Sequence, residues 1–144
     1  MKPDLTRRAL FAALACAIAI PSVALAQDPR ASQVQKVARD WLILADKFDA
    51  PASWKAAGPR FQAAISEESW ATQLRKQRGA RGAVMQRTIV ATNFRSDVPQ
   101  LPAGGSYAMV SFRTAFANEP NGTEDITLEQ GPDSAWRVVG YVIR

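Results

Sequence analysis

The feature that most constrains the fold of this chain is a change in the spacing of its apolar residues at Gly82. Before Gly82, apolar residues recur every three or four positions, which is the spacing of a buried face on an α-helix. After it, apolar and polar residues alternate, which is the spacing of a half-buried β-strand. Since the helical pattern comes first and does not alternate with strands, we predict an α+β domain with a four-stranded antiparallel meander packed on two to three N-terminal helices.

The first predicted helix begins at Ser32, which forms a capping box with Gln35. Its apolar residues fall on one face: Val34, Val37, Trp41, Leu44, Ala45 and Phe48. Pro51 ends this pattern.

Shorter helical segments follow before the change of spacing. Residues 53–57 have room for one helical turn, and Pro59 suits the first position of a new helix. Ser66 is a suitable cap for a last helix, which we expect to stop at Gly79.

Turn sequences divide the second half of the chain into strands. Glycine, proline and asparagine cluster at 102–105, 120–122 and 131–134. The strand predicted at 107–116 directs five residues to one face: Ala108, Val110, Phe112, Thr114 and Phe116. These clusters predict three turns joining four strands.

The last strand, residues 136–143, is apolar on both faces. Such a pattern is typical of a central strand that is covered on both sides. One of the faces led by Trp136 and Tyr141 is therefore expected to meet something other than the helices. A homodimer through the open sheet face would cover it.

The N-terminus has the three parts of a bacterial export signal. Lys2, Arg7 and Arg8 form a basic start, residues 9–20 are apolar, and Ala26 ends a stretch of small residues. The apolar run is shorter than the roughly 20 residues needed to span a bilayer. The arginine pair also resembles a twin-arginine signal, so the export route stays open.

We therefore predict a signal peptide at residues 1–26 that is cleaved after Ala26. The product is expected in the periplasm or outside the cell, without a membrane anchor. It consists of a flexible lead-in at 27–31 and a single domain at 32–144.

The residue types present exclude much chemistry. The chain has no histidine, and its one cysteine, Cys16, lies in the predicted signal. A Ser-His-Asp triad, a thiol nucleophile and His or Cys zinc ligands are thus excluded from the domain. The adjacent carboxylates Glu67 and Glu68 sit in a helix first turn, and Glu124 and Asp125 point to opposite faces of a strand. We predict no catalytic residues, no metal site and no cofactor.

The densest positive charge lies at residues 75–87. The domain as a whole is only mildly basic, since 18 basic and 13 acidic residues in the chain include three basic and one acidic residue in the signal. We expect no nucleic-acid partner. The basic segment is open to three interpretations: a solvated helix end, an anion site, or structural pairing of Arg78 or Arg87 with Glu124. Pairing predicts that Arg87→Ala or Glu124→Ala lowers stability.

The order of several residues resembles the bacterial family catalogued as domain of unknown function 4019. The matching positions are Ser53, Trp54, Trp70, Leu74, Arg78, Gly82, Arg87, the strand from 105 to 116, Glu124 and the closing run from Trp136 to Tyr141. The likeness spans residues 34–144 and implies an exported bacterial protein of unassigned activity. It supplies no catalytic residues. By analogy, the fold is expected to resemble the nuclear-transport-factor-2-like or cystatin-like folds.

The interpretation that we favour is an exported, non-catalytic binding or interaction domain. It would hold a small ligand between helices and sheet, or a protein on the open sheet face. The candidate ligand-binding residues are Trp54, which sits between helix breakers, and the group Arg78, Arg87 and Glu124. One alternative is an enzyme on a cone-shaped scaffold that uses carboxylate, tyrosine or arginine chemistry. Another is a binder of an anionic ligand or polymer through residues 75–87.

Overall fold

Helices and strands follow one another in two blocks in residues 28–144, the part of the chain that the computed structural model describes. The helices are α1 (Pro29–Asp46), α2 (Ala50–Ala56), α3 (Pro59–Ala64) and α4 (Glu67–Arg78), and the strands are β1 (Val84–Arg95), β2 (Tyr107–Phe116), β3 (Glu119–Gln130) and β4 (Trp136–Ile143). The sheet has the order β1-β2-β3-β4 with every neighbouring pair antiparallel. The predicted α+β class is confirmed, with two short helices, α2 and α3, between the two long ones.

The predicted signal and its cleavage position lie outside the described residues. Within the described part, none of the helices combines the length and the apolar character needed to cross a membrane.

The start of α1 differs from the prediction. Asp28 is the N-cap, and its carboxylate accepts a hydrogen bond from the Arg30 amide at 2.9 Å. Pro29 occupies the first helical position, where its missing N–H costs nothing. Ser32 lies inside the helix and donates to the Pro29 carbonyl at 3.0 Å. Residues 29–31 are therefore helical and do not form the predicted loose lead-in. At α4 the predicted cap is confirmed, since the Ser66 hydroxyl accepts from the Ser69 amide.

Aromatic rings from the helices meet the sheet in the centre of the core. Trp41, Phe61, Trp70 and Tyr141 form a cluster with ring centroids 5.1–6.2 Å apart. Buried Ser53 links two of these rings, because its carbonyl accepts from the Trp41 indole at 2.8 Å and its hydroxyl from the Trp70 indole at 2.9 Å. The helices are thus fixed to one another as well as to the sheet.

The turn predicted at 120–122 belongs to β3 instead. The hairpin reverses at residues 117–118, and Gly122 pairs with Thr114 of β2. A Cβ atom added at Gly122 would lie 2.8 Å from the Phe116 ring. This glycine makes room for an aromatic side chain across the hairpin, which is a requirement that the local sequence does not reveal.

Strand β4 lies at the sheet edge and is not a central strand. Val138 and Gly140 pair with neighbouring residues of β3, which leaves Val139 as a bulge. The extra residue reverses the alternation of the strand, so Trp136 and Tyr141 are both buried on the helix side. The expectation of an uncovered aromatic face on β4 was therefore wrong. The homodimer was expected in order to cover that face, so this argument for it no longer holds.

Candidate functional site

Three of the four predicted site residues meet at the junction of helices and sheet. Arg78 is the last residue of α4, Arg87 lies in β1, and Glu124 lies in β3. Glu124 shares the inward face of its strand with Ile126 and Leu128, which places a carboxylate in the core. The structural pairing considered for these residues is confirmed.

The Glu124 carboxylate is fully buried and accepts four hydrogen bonds. Its Oε1 atom accepts from Arg78 Nη1 at 2.7 Å and from the Tyr141 hydroxyl at 2.8 Å. Its Oε2 atom accepts from Arg87 Nε at 2.7 Å and from the Thr114 hydroxyl at 2.6 Å. The donors come from one helix and three strands. Both buried oxygens therefore have hydrogen-bond partners.

Asp46, the last residue of α1, completes this cluster, which we call the ion network: Asp46, Arg78, Arg87, Thr114, Glu124 and Tyr141. Asp46 accepts from Arg87 Nη1 and Nη2, each at 2.8 Å, and from Arg78 Nη2. The sequence analysis did not single out Asp46 as a site residue. A carboxylate at a helix C-terminus is unfavourable next to the helix dipole, and this position was the available signal that cations from other elements surround it.

The electrostatics of the network hold Glu124 in its ionised form. Burial is the largest effect and would raise the pKa of Glu124, but the charge of Arg87 and the hydrogen bonds from Arg87, Thr114 and Tyr141 together lower that pKa below its ordinary value. Burial, reinforced by the adjacent Glu124 charge, raises the pKa of Tyr141 far above its ordinary range. Tyr141 therefore remains a hydrogen-bond donor, and two guanidinium groups balance two carboxylates.

The cations of the basic segment at 75–87 have different surroundings. Arg78 and Arg87 are held within the network, and Arg81 Nε lies 2.6 Å from Glu119 Oε2. Arg75 and Lys76 are exposed in the last turn of α4, where they complement the helix dipole.

Trp54 lies apart from the ion network in its bonding. Its indole donates to the Ile65 carbonyl at 2.8 Å, while its own carbonyl accepts from the Gln62 amide at 3.0 Å. The ring is half-buried against the core. These contacts join α2 to α3 and to the residue that follows α3, and a ligand-binding role for Trp54 stays a prediction.

The side chains of the ion network limit the chemistry that this site can perform. Across residues 28–144 there is no group of three or more His, Cys, Asp or Glu side chains that could hold a metal ion. The buried oxygens of Glu124 are already saturated by donors of the chain itself. The arrangement is suited to fastening elements together through charge-assisted hydrogen bonds.

The comparison with protein families places the chain. The model of a family described as a protein of unknown function, DUF4019, matches residues 37–141. The chain belongs to this family. The matched range contains every member of the ion network, from Asp46 to Tyr141.

Other comparisons relate this DUF4019 chain to known proteins by fold. None of the curated proteins matches it. A solved structure from Catenulispora acidiphila superposes with a TM-score of 0.50 at 13% sequence identity, and the match covers 78% of this chain and 88% of the other. At that identity the likeness shows a common fold only.

Proposed function

We propose that this chain is an exported, non-catalytic interaction domain in which the ion network has a structural role. The observation that carries the proposal is the saturation of the Glu124 carboxylate by Arg78, Arg87, Thr114 and Tyr141. A general base or nucleophile needs an oxygen that can approach a substrate. The most deeply buried carboxylate of the domain has its acceptor sites directed at its own partners.

The lowered pKa of Glu124 favours a structural role of the ion network over a catalytic one. Catalytic carboxylates at desolvated sites commonly have a raised pKa, which lets them act as acids near neutral pH. The pKa of Glu124 is lowered instead, as expected of a carboxylate held between two guanidinium groups. The pairing of Arg78, Arg81 and Arg87 likewise counts against a binder of anionic polymers, because these charges are already neutralised.

Export is the second part of the proposal. It rests on the basic, apolar and small-residue regions of residues 1–26. We expect the chain expressed in a bacterial host with its own N-terminus to accumulate in the periplasmic fraction. Its intact mass there should correspond to residues 27–144, whereas a full-length mass in the cytoplasmic fraction would contradict export.

Catalysis is tested on the same purified protein. We expect no hydrolysis of 4-nitrophenyl acetate, 4-nitrophenyl phosphate or 4-nitrophenyl β-glucoside above the rate in buffer alone. Turnover that Glu124→Gln abolishes while the circular dichroism spectrum is retained would show that the network is an active site. Glu129→Gln, at a half-buried residue of the same strand that lies outside the ion network, is the matched control.

A further inference from the structure

The two edges of the sheet are built differently. Both edge strands carry bulges, at Val139 in β4 and at Met85 and Val90 in β1, but at the β4 edge the Gly58 amide also donates to the Val138 carbonyl at 2.8 Å. At the other edge, β1 is twelve residues long and pairs only with β2. Within residues 28–144, no backbone hydrogen bond reaches the outer side of β1. An unpaired edge of this length is a template for a further strand.

Apolar side chains are exposed along this open edge. Met85 is 70% exposed and Val90 57% exposed, the two highest values among the large hydrophobic residues in the described part of the chain. Both stand at the register shifts of β1. Single exposed apolar residues are common on protein surfaces, but two on one unpaired strand mark a surface suited to contact.

Two depressions lie on opposite faces of the sheet at Val90. The helix-side depression has a volume of about 400 Å³ and is lined by Ile89, Val90, Ala91, Thr92 and Phe94 of β1 and by Asp28, Ala31 and Gln35 from the α1 side. The carboxylate of Asp28 is neutralised by its ion pair with Arg30. The outer depression, about 340 Å³, is lined by Gln86, Thr88, Arg113, Ala115 and Pro120 as well as Val90. A strand added to β1 would direct alternate side chains to the two faces, so it could place side chains in both depressions.

The positive charge of β1 and β2 indicates which kind of strand would pair with the β1 edge. Strands β1 and β2 contain three arginines and no acidic residue. Arg87 is neutralised in the ion network, whereas Arg95 and Arg113 are exposed, and no acidic side chain of the described residues lies within 4.0 Å of either. An acidic strand would complement these charges, while a second copy of β1 would bring like charges together.

We propose that the β1 edge binds an extended, acidic segment of a partner protein by β-augmentation. This inference rests on the proposed function, since it names the surface and the partner class of an interaction domain. Main-chain hydrogen bonds would supply affinity, and the two depressions with Arg113 would supply selectivity.

The test begins with random twelve-residue peptides displayed on phage and selected against the purified full chain. We expect the selected peptides to carry acidic residues at alternate positions. The affinities of synthetic copies for the wild type, Val90→Glu and Val142→Glu are then measured by fluorescence anisotropy. Val90→Glu should weaken binding at least about tenfold, which is about 1.4 kcal/mol. Val142→Glu, at a residue that is 46% exposed on the opposite edge, is the matched control and should change affinity by less than about twofold.

A charge reversal tests the outer depression. Arg113→Glu should weaken the acidic peptides and strengthen binding of peptides in which lysine replaces the acidic residues. A purely structural effect of the substitution would weaken both peptides alike. Equal melting temperatures for all variants exclude loss of folding as the cause.

The remaining outcomes separate the two proposals. If Val90→Glu and Val142→Glu act equally, or if no peptide is selected, the edge inference is wrong, and the absence of catalysis in the proposed function is tested independently by the turnover assay. If sedimentation shows a dimer that Val90→Glu dissociates, the edge pairs with a second copy, and the acidic partner is overturned.

Discussion

Glu124 is the residue with the most exacting surroundings in this domain. A fully buried carboxylate is tolerated only when its charge and its acceptor sites are satisfied, and here two arginines, a tyrosine and a threonine do so. A buried ion pair is not itself strong support for stability, because desolvation offsets much of the attraction. Removing one partner is costly, however, because charges of the other sign are left buried and unpaired.

Glu124→Ala is therefore expected to lower the free energy of unfolding by about 3–5 kcal/mol. Urea denaturation of the purified domain measures this change. The matched control is Glu129→Ala, which breaks an ion pair with Arg60 at the surface and should cost no more than about 1 kcal/mol. Equal losses for both variants would show that the network does not fasten the helices to the sheet.

The lowered pKa of Glu124 gives a pH dependence with a defined sign. Its ionised form contributes fully to stability above the ordinary pKa of about 4.3, and that contribution is lost as the pH falls through the lowered pKa. The difference in unfolding free energy between wild type and Glu124→Gln should thus be largest near neutral pH and shrink below about pH 4. A difference that grows on acidification would contradict the assigned ionisation.

At the scale of elements, irregular positions in strands determine which side chains face the core. The bulge at Val139 brings Trp136 and Tyr141 to one side of β4, and thereby delivers the Tyr141 hydroxyl to Glu124. The β2–β3 hairpin depends in the same way on Gly122, over which the Phe116 ring lies. Neither role was recognised in the sequence, because residues 136–143 are apolar on both faces and Gly122 lies in a cluster of turn-forming residues.

Gly122→Ala is expected to destabilise the domain by about 1–3 kcal/mol, because the added methyl group would overlap the Phe116 ring. Gly140→Ala is the control in an adjoining part of the sheet, since a Cβ there would meet Thr127 at an ordinary 3.5 Å. Thermal unfolding followed by circular dichroism distinguishes them. A melting temperature that falls equally in both variants would mean that ring overlap is not the reason for this glycine.

At the scale of the whole molecule, the ion network joins the two layers of the fold. Its members come from α1, α4 and all four strands. The aromatic cluster around Trp41 and Trp70 connects the same layers a short distance away. Because the ion network and the aromatic cluster fill the space between helices and sheet, we assign the proposed interaction to the unpaired β1 edge.

The sequence by itself determined the order of helices and strands and the Ser66 cap of α4, and it offered the pairing of Arg78 or Arg87 with Glu124 as one of three interpretations. These features follow from short-range periodicity, from local capping and from the rule that a buried charge needs a partner.

Only the tertiary structure decided that Asp46 joins the network, that residues 120–122 are strand, and that Val139 is a bulge. Each depends on atoms from elements far apart in the chain that pack against one another, and local backbone preference carries no information about such contacts.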